Sequence, residues 1–300
     1  MGAPATRITA ADFLTPPELK PWRLAPDGAG RIGGVRLELI KEARETRLGR
    51  LYQQVPLRLL PPFQFSAQEP ALLYLLNPTA GLMDGDGQLI ELTAGPGTQT
   101  VVVGQSATRI HPSIKGYATQ QWSIQVGDNA VLVVLPGPAI PFQGCRYFQR
   151  IAVSLAPTAH LMWGDIWFAG RYARGKDSEM FQFGDVIQDL TIRRADRLVF
   201  RDRFHWHGPW DKATARWHFG DALACGSLFV TGTVDEEIGS SAALFSTACG
   251  DSCLRWQGAS EAVTAAVVQT ALRLAGLKSA CAERRPWLSS KDLAPCHWFS

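Results

Sequence analysis

Short apolar segments recur along the whole chain, and nearly all are too short for a helix: residues 72–76, 98–103, 122–126, 131–135, 151–155 and 190–192. In the third of these, Trp122, Ile124 and Val126 fall on one side and Ser123 and Gln125 on the other, the period of a half-buried strand. Residues 33–60 alternate in the same way, with Val35, Leu37 and Leu39 set against Arg36, Glu38 and Lys41. Gly-Asp pairs beginning at Gly85, Gly127, Gly164, Gly184, Gly220 and Gly250 punctuate the series and are expected to mark turns, at intervals too irregular for a sequence repeat. Strands do not alternate with helices, which excludes a doubly wound parallel sheet. A helix is expected only late, at about residues 260–276, where Ser260 can cap, Glu261 suits the N-terminus and Gly276 can end it. A weaker helix is expected over residues 240–246. The fold class is therefore mainly β, with many short strands and a small helical cap near the C-terminus. Residues 1–30, rich in Pro, Ala and Gly, read as a loosely ordered arm, and residues 31–300 as one domain.

Composition narrows the function classes. The 300 residues are 46% apolar and 19% charged with a net charge of +3, so the chain can bury a sizeable core and does not have the character of a disordered segment. No basic run with interleaved aromatics follows a phosphate backbone, which argues against nucleic acid. Six cysteines are too sparse for a disulfide scaffold and suit a reducing compartment. The first residues lack the apolar core of a signal peptide and no apolar run is long enough to span a bilayer, so the cytoplasm is the expected location.

Several local patterns approach known chemistry and stop short. Gly170 to Asp177 has the glycine and lysine spacing of a phosphate loop, but Asp177 stands where Ser or Thr would ligate magnesium. Asp84-Gly85-Asp86-Gly87 opens like a calcium loop but lacks the later Gly and Glu. Ser106 lacks the closing glycine of a nucleophile elbow. Cys249 and Cys253 have zinc-ligand spacing, with Cys296-His297 as the one local candidate for a second pair. His205 and His207, two apart, share a strand face and can reach one ion, with His218 or Asp221 as a third ligand. The alternative is two surface histidines flanking a buried Trp206.

A set of separate motifs, in order, carries more weight than any of these. Arg47 and Pro56-Leu57-Arg58 come first, followed by the run from Leu75 through Asn77-Pro78 to Asp84-Gly85-Asp86. Gln105 to Ile110, Leu135-Pro136 to Arg146, Gly170-Arg171 to Gly175, and Arg201-Asp202-Arg203 complete the order. Over about residues 33–235 this resembles the UreD (UreH) family of urease accessory proteins. The resemblance implies a mainly β helical stack of strands and a non-enzymatic, cytosolic scaffold. Such a scaffold binds the urease apoprotein with UreF and the GTPase UreG so that nickel, held only transiently and with no tightly bound cofactor, reaches the urease site. It also implies a water-filled passage lined by polar and acidic groups as the nickel route.

Carried onto this chain, the resemblance makes Asp86, Asp165, His111 and Cys145 the nickel-path candidates, with Asp84, Asp177 and Glu179 beside them. It makes Arg58, Gly85, Arg109, Pro136, Arg146, Gly170, Arg171 and Gly175 structural or interface positions. The chain departs from the family at Thr79-Ala80, where two glycines are usual, and at Arg109 and His111, where a lysine and an aromatic are usual. It departs again at Val133 and Lys176, where glutamates are usual. Losing two carboxylates is expected to weaken cation attraction along a passage. Two other readings remain open: a β-scaffold metalloenzyme built on His205, His207 and His218, and a scaffold that has lost nickel handling.

Overall fold

The expected strands form, and the chain lays them down by switching between two sheets. The computed structural model describes residues 7–28, 30–64, 69–172, 179–234 and 242–276. In chain order the elements are β1 (Ile32–Glu42), β2 (Glu45–Gln54), β3 (Arg58–Leu59), β4 (Ala71–Leu76), β5 (Gly87–Ala94), β6 (Gln99–Gly104), β7 (Thr108–Ile110) and β8 (Ala118–Val126). Next come β9 (Val131–Leu135), β10 (Pro138–Pro141), β11 (Arg146–Leu155), β12 (His160–Phe168), β13 (Asp185–Arg194) and β14 (Arg197–His207). Helix α1 (Lys212–Phe219), β15 (Ala224–Val230), β16 (Ala242–Ser246), β17 (Ser252–Gly258) and helix α2 (Ser260–Leu274) complete the described chain.

Among the described residues, one sheet has the order β14-β13-β11-β8-β5-β1-β2 and the other β16-β17-β15-β12-β9-β6-β4-β3, with β7 and β10 attached beside β12. From β4 to β13 successive long strands alternate between the sheets. As a result β5, β8, β11 and β13 are parallel neighbours in the first sheet, and β4, β6, β9 and β12 in the second. Each parallel crossover, which in α/β folds is made by a helix, is made here by a strand of the opposite sheet. That is the coiled stack of strands the family resemblance implies, and it explains parallel sheets in a chain without helix alternation. The flanks are antiparallel hairpins; Ala195 and Asp196 both take positive φ in the β13–β14 turn, the two-residue geometry that matches strand twist.

The main core lies between the sheets and follows the predicted alternation. Val35, Ile90, Trp122, Ile151 and Leu190 of the first sheet meet Leu132, Val134, Leu161 and Trp163 of the second. The outer face of the second sheet is covered by α2, whose Val263, Val267 and Ala271 pack on Val101, Val133, Leu135 and Leu228. Val133 therefore looks towards α2 and not into the space between the sheets, so its departure from the family pattern removes no carboxylate from that interior. Gly276 has φ +71 and closes α2 as expected. The capping position, however, is Ala259, and Ser260 is the first helical residue, with its hydroxyl bonded to Tyr172.

Three readings are corrected. The described part of residues 240–246 is strand β16 rather than helix, and α1 forms instead after Asp211, whose carboxylate accepts the Thr214 N–H at 2.7 Å. Gly164-Asp165 marks no turn; it sits inside β12, where a Cβ on Gly164 would come 2.8 Å from Leu135 and 3.1 Å from Val267. The N-terminal segment is held where it is described, because Ile8, Phe13 and Leu19 are buried and the Gln54 side chain bonds both backbone groups of Ile8. Arg174, Gly175, Lys176 and Asp177, together with Cys296 and His297, lie outside the described residues.

Candidate functional site

Register places four glutamines side by side across the first sheet. Gln88 on β5 pairs with Gln120 on β8, Gln120 with Gln149 on β11, and Gln149 with Gln188 on β13. All four are buried. Two residues further along each strand come Ile90, Trp122, Ile151 and Leu190 of the main core. Two residues back on the last three come Ala118, Tyr147 and Val186 of a second apolar cluster. The rung of amides thus divides the apolar interior, at an inward-facing position where a strand of this pattern would ordinarily carry Val or Leu.

Asp165 on β12 meets the rung from the opposite sheet. It is 4% exposed, its neighbours Trp163 and Trp167 sharing its face. The Trp163 indole N–H and the Gln188 amide, the latter at 2.9 Å, both donate to Asp165 Oδ2. The Trp167 indole N–H donates to Gln188 Oε1 at 2.7 Å. At the other end of the rung the Trp122 indole donates to Gln120 Oε1 at 3.0 Å, and Gln120 donates to Gln88 Oε1 at 2.9 Å. Burial pushes the Asp165 carboxyl up to about 7, with the Asp202 charge adding to the rise and the Trp163 and Gln188 donors opposing it. Gln88 Nε2 and Gln149 Oε1 are buried and have no hydrogen-bond partner among the described residues. Such atoms call for a polar guest.

The rung ends in an opening on each side. A cavity of about 50 Å³ reaches Gln88 and Gln120 and is lined also by Thr79, Gly104, Arg109 and Pro136. A larger one, about 640 Å³, reaches Gln188 from the other side past Asp202, Cys225, Ser227 and Arg255. Gly104 is required at the first, because a Cβ there would lie 2.1 Å from the Pro136 carbonyl oxygen.

Of the sequence-derived nickel candidates among the described residues, Asp165 alone joins the rung. Asp86 is buried with its carboxylate spent on the backbone N–H groups of Arg31 and Met83, and Asp84 clamps those of Ile114, Lys115 and Gly116. Cys145 is fully buried and its thiol is pushed up to about 12, so it is no thiolate near neutrality. The His111 ring bonds the Ala80 carbonyl at 3.0 Å and meets Phe142 edge-on. The structural positions hold connections together. Gly85 has φ +83 and leaves no room for a Cβ beside Pro26. Arg146 lies 3.3 Å over the Trp22 ring and donates to the Gly116 carbonyl. Arg171, after Gly170, pairs with Glu179, which also accepts the Gln143 N–H. Arg58 and Arg109 are exposed on β3 and β7, the second at the smaller opening.

His205 and His207 do come together, but with Asp185; His218 stacks on Trp210 at 4.6 Å between ring centroids and does not join them. The expected third ligand, His218 or Asp221, is thereby corrected, and so is the three-histidine centre. Neither Cys249 nor Cys253 joins a metal-ligating group among the described residues.

The fold and this interior define a β scaffold whose strands coil around a line of amides ending in one carboxylate. Comparison with known proteins makes the class specific. A family model described as UreD urease accessory protein matches residues 31–288, and the chain belongs to that family. Urease accessory protein UreD 2 of Streptomyces griseus is 32% identical over 178 residues, covering 59% of this chain and 60% of its own length. UreD 2 of a Synechococcus strain is 31% identical over 210 residues, covering 67% and 74%. UreH of Helicobacter pylori is 32% identical over 147 residues, covering 49% and 54%. The chain thus spans between about half and three quarters of these relatives. Among the described residues, no helix is long and apolar enough to cross a membrane.

The glutamine rung was missed in the sequence because no motif contains it. Its members are separated by unequal intervals, and only strand register aligns them. The signal available was a glutamine two residues before an apolar strand position, as in Gln120 before Trp122 and Gln149 before Ile151.

Proposed function

We propose that this chain is a non-catalytic, cytoplasmic scaffold of urease maturation. It binds the urease apoprotein together with UreF and the GTPase UreG, and nickel crosses its interior along the glutamine rung. The observation that carries this reading is the rung itself, a buried line of amide groups with unpartnered polar atoms, open at both ends and meeting one carboxylate. Amide carbonyls replace part of a hydration shell without the fixed charge that would hold a cation in place, as oxygen-lined ion paths do. Asp165, poised near neutrality, can exchange its proton for a passing cation. Membership of the urease accessory family supplies the context.

Gln149→Leu tests the reading in a strain lacking the native gene. The substitution keeps the size of a buried side chain and removes its unpaired carbonyl, so the protein is expected to fold and to co-purify with UreF and urease as before. Urease activity is expected to fall at least fivefold. Full activity would sink the interior route, and failure of the unsubstituted chain to recover UreF or urease would sink the scaffold role.

A further inference from the structure

The edge hairpin of the first sheet carries a second polar group that the interior route does not use. Asp185, the first residue of β13, is the cross-strand partner of His207, and His205 lies two residues before His207 on the same face of β14. His205 Nε2 and His207 Nδ1 each lie 2.8 Å from Asp185 Oδ1. The three ligand atoms all fall within 4.8 Å of one another. The geometry points to a binding site for one divalent transition-metal ion, held by His205, His207 and Asp185 on the outer face of this hairpin.

Two imidazole nitrogens and one carboxylate oxygen form a donor set suited to nickel, cobalt, copper or zinc, and poorly suited to magnesium or calcium, which prefer oxygen. At metal–ligand distances of about 2.0–2.2 Å, neighbouring donors sit roughly 3 Å apart. The observed 2.8 Å contacts are therefore close to the spacing an ion needs. The site is also oriented in advance. Phe204 and Trp206, which alternate with the histidines, stack at 4.2 Å on the opposite face, and Trp206 packs further on Trp167 and Phe219, which fixes the direction in which β14 presents its imidazoles. One carboxylate oxygen, Asp185 Oδ1, already faces both imidazoles. The His207 side chain is 78% exposed and that of Asp185 17%, so the ion would be gripped from one side and open on the other to water or to a donor from a partner.

The inference stands apart from the interior route, since it uses neither Asp165 nor the glutamines. Its test is titration of the tag-free full chain with Ni²⁺ alone in a buffer that does not chelate, followed by isothermal calorimetry and X-ray absorption. One equivalent is expected to bind with two imidazoles in its shell. His205→Ala and Asp185→Asn are each expected to weaken it at least tenfold, and Mg²⁺ to show no comparable binding. His218→Ala and Asp165→Asn are expected to leave this equivalent unchanged, which separates it from any ion taken up inside. His205→Gln is the companion variant if His205→Ala does not fold. Nickel binding that is absent, that survives both ligand substitutions, or that lacks the imidazole signature would overturn the site.

Discussion

Gln188 reaches across the space between the two sheets and donates its amide to Asp165 at 2.9 Å. The bond joins the last member of a four-strand amide rung to the one carboxylate that faces it. Because the Trp167 indole holds the other end of the same amide at 2.7 Å, Gln188 cannot turn its carbonyl towards Asp165 without breaking both contacts. The carboxylate is therefore offered donors only, and its ionised form is favoured by them while burial opposes it.

Replacement of Asp165 by Asn is expected to stabilise the protein and impair urease activation together. The Asn carbonyl can accept from Trp163 and Gln188 as Oδ2 does. With the folded carboxyl at about 7 against an ordinary 3.8, the native state holds the proton more tightly than the unfolded chain. Stability attributable to this group is thus present at low pH, falls as pH rises between those values, and is fully lost above about 7. The linked cost is about 4 kcal/mol at most. Thermal unfolding at pH 5 and pH 8 should show Asp165→Asn gaining on the native chain much more at pH 8. An equal difference at both pH values would contradict a raised carboxyl.

Trp163→Phe should move the upper end of that pH window upward. The indole donor is among the groups that lower the Asp165 carboxyl, and phenylalanine removes it while keeping a ring near Trp122, whose centroid lies 5.3 Å away. The comparison to make is Trp163→Phe against Trp163→Phe/Asp165→Asn across pH 5–9. The pH at which their stability difference levels off is expected to lie above that found for the native chain against Asp165→Asn. An unmoved plateau would show that the indole does not act on this carboxyl.

The sequence carried the fold in its periodicity and in motif order, since Trp122, Ile124 and Val126 turn inward as their spacing requires. Parallel pairing was invisible because the connecting element is another strand, and a strand gives the same period whichever sheet it joins. The family motifs single out Asp165, although a Gly-Asp pair at Gly164-Asp165 reads as a turn. A glycine followed by aspartate has that meaning only where the chain reverses, and here Gly164 is small because α2 lies against it. Asp185 was not connected to His205 and His207, because its place opposite His207 depends on the register of the β13–β14 hairpin.

Gly104→Ala should destabilise the chain and narrow the smaller opening. The added methyl would meet the Pro136 carbonyl oxygen just beyond the end of β9, a backbone atom that cannot turn aside. Overpacking of this kind costs about 1–3 kcal/mol. Denaturant unfolding should show a lower midpoint with an unchanged slope, and urease activation should drop even at temperatures where the variant is fully folded. Normal activation in the folded variant would argue that nothing needs to pass there.

The seating of α2 on the second sheet makes a final prediction about paired residues. Val267 is fully buried and sits over two glycines: a Cβ on Gly226 would come 2.7 Å from its Cγ2, and one on Gly164 would come 3.1 Å from its Cγ1. Val267→Ala should cost about 1–3 kcal/mol through lost burial and the cavity left behind. Gly226→Ala should also destabilise, by pushing α2 outward. The double variant should be more stable than the sum of the two costs implies, because the new methyl on residue 226 enters the space the valine vacates. Recovery should be partial, since Val263 Cγ1 also lies 2.8 Å from that position. A coupling of about 0.5 kcal/mol or more in a double-mutant cycle is the expected result; strict additivity would mean that α2 does not rest on these glycines.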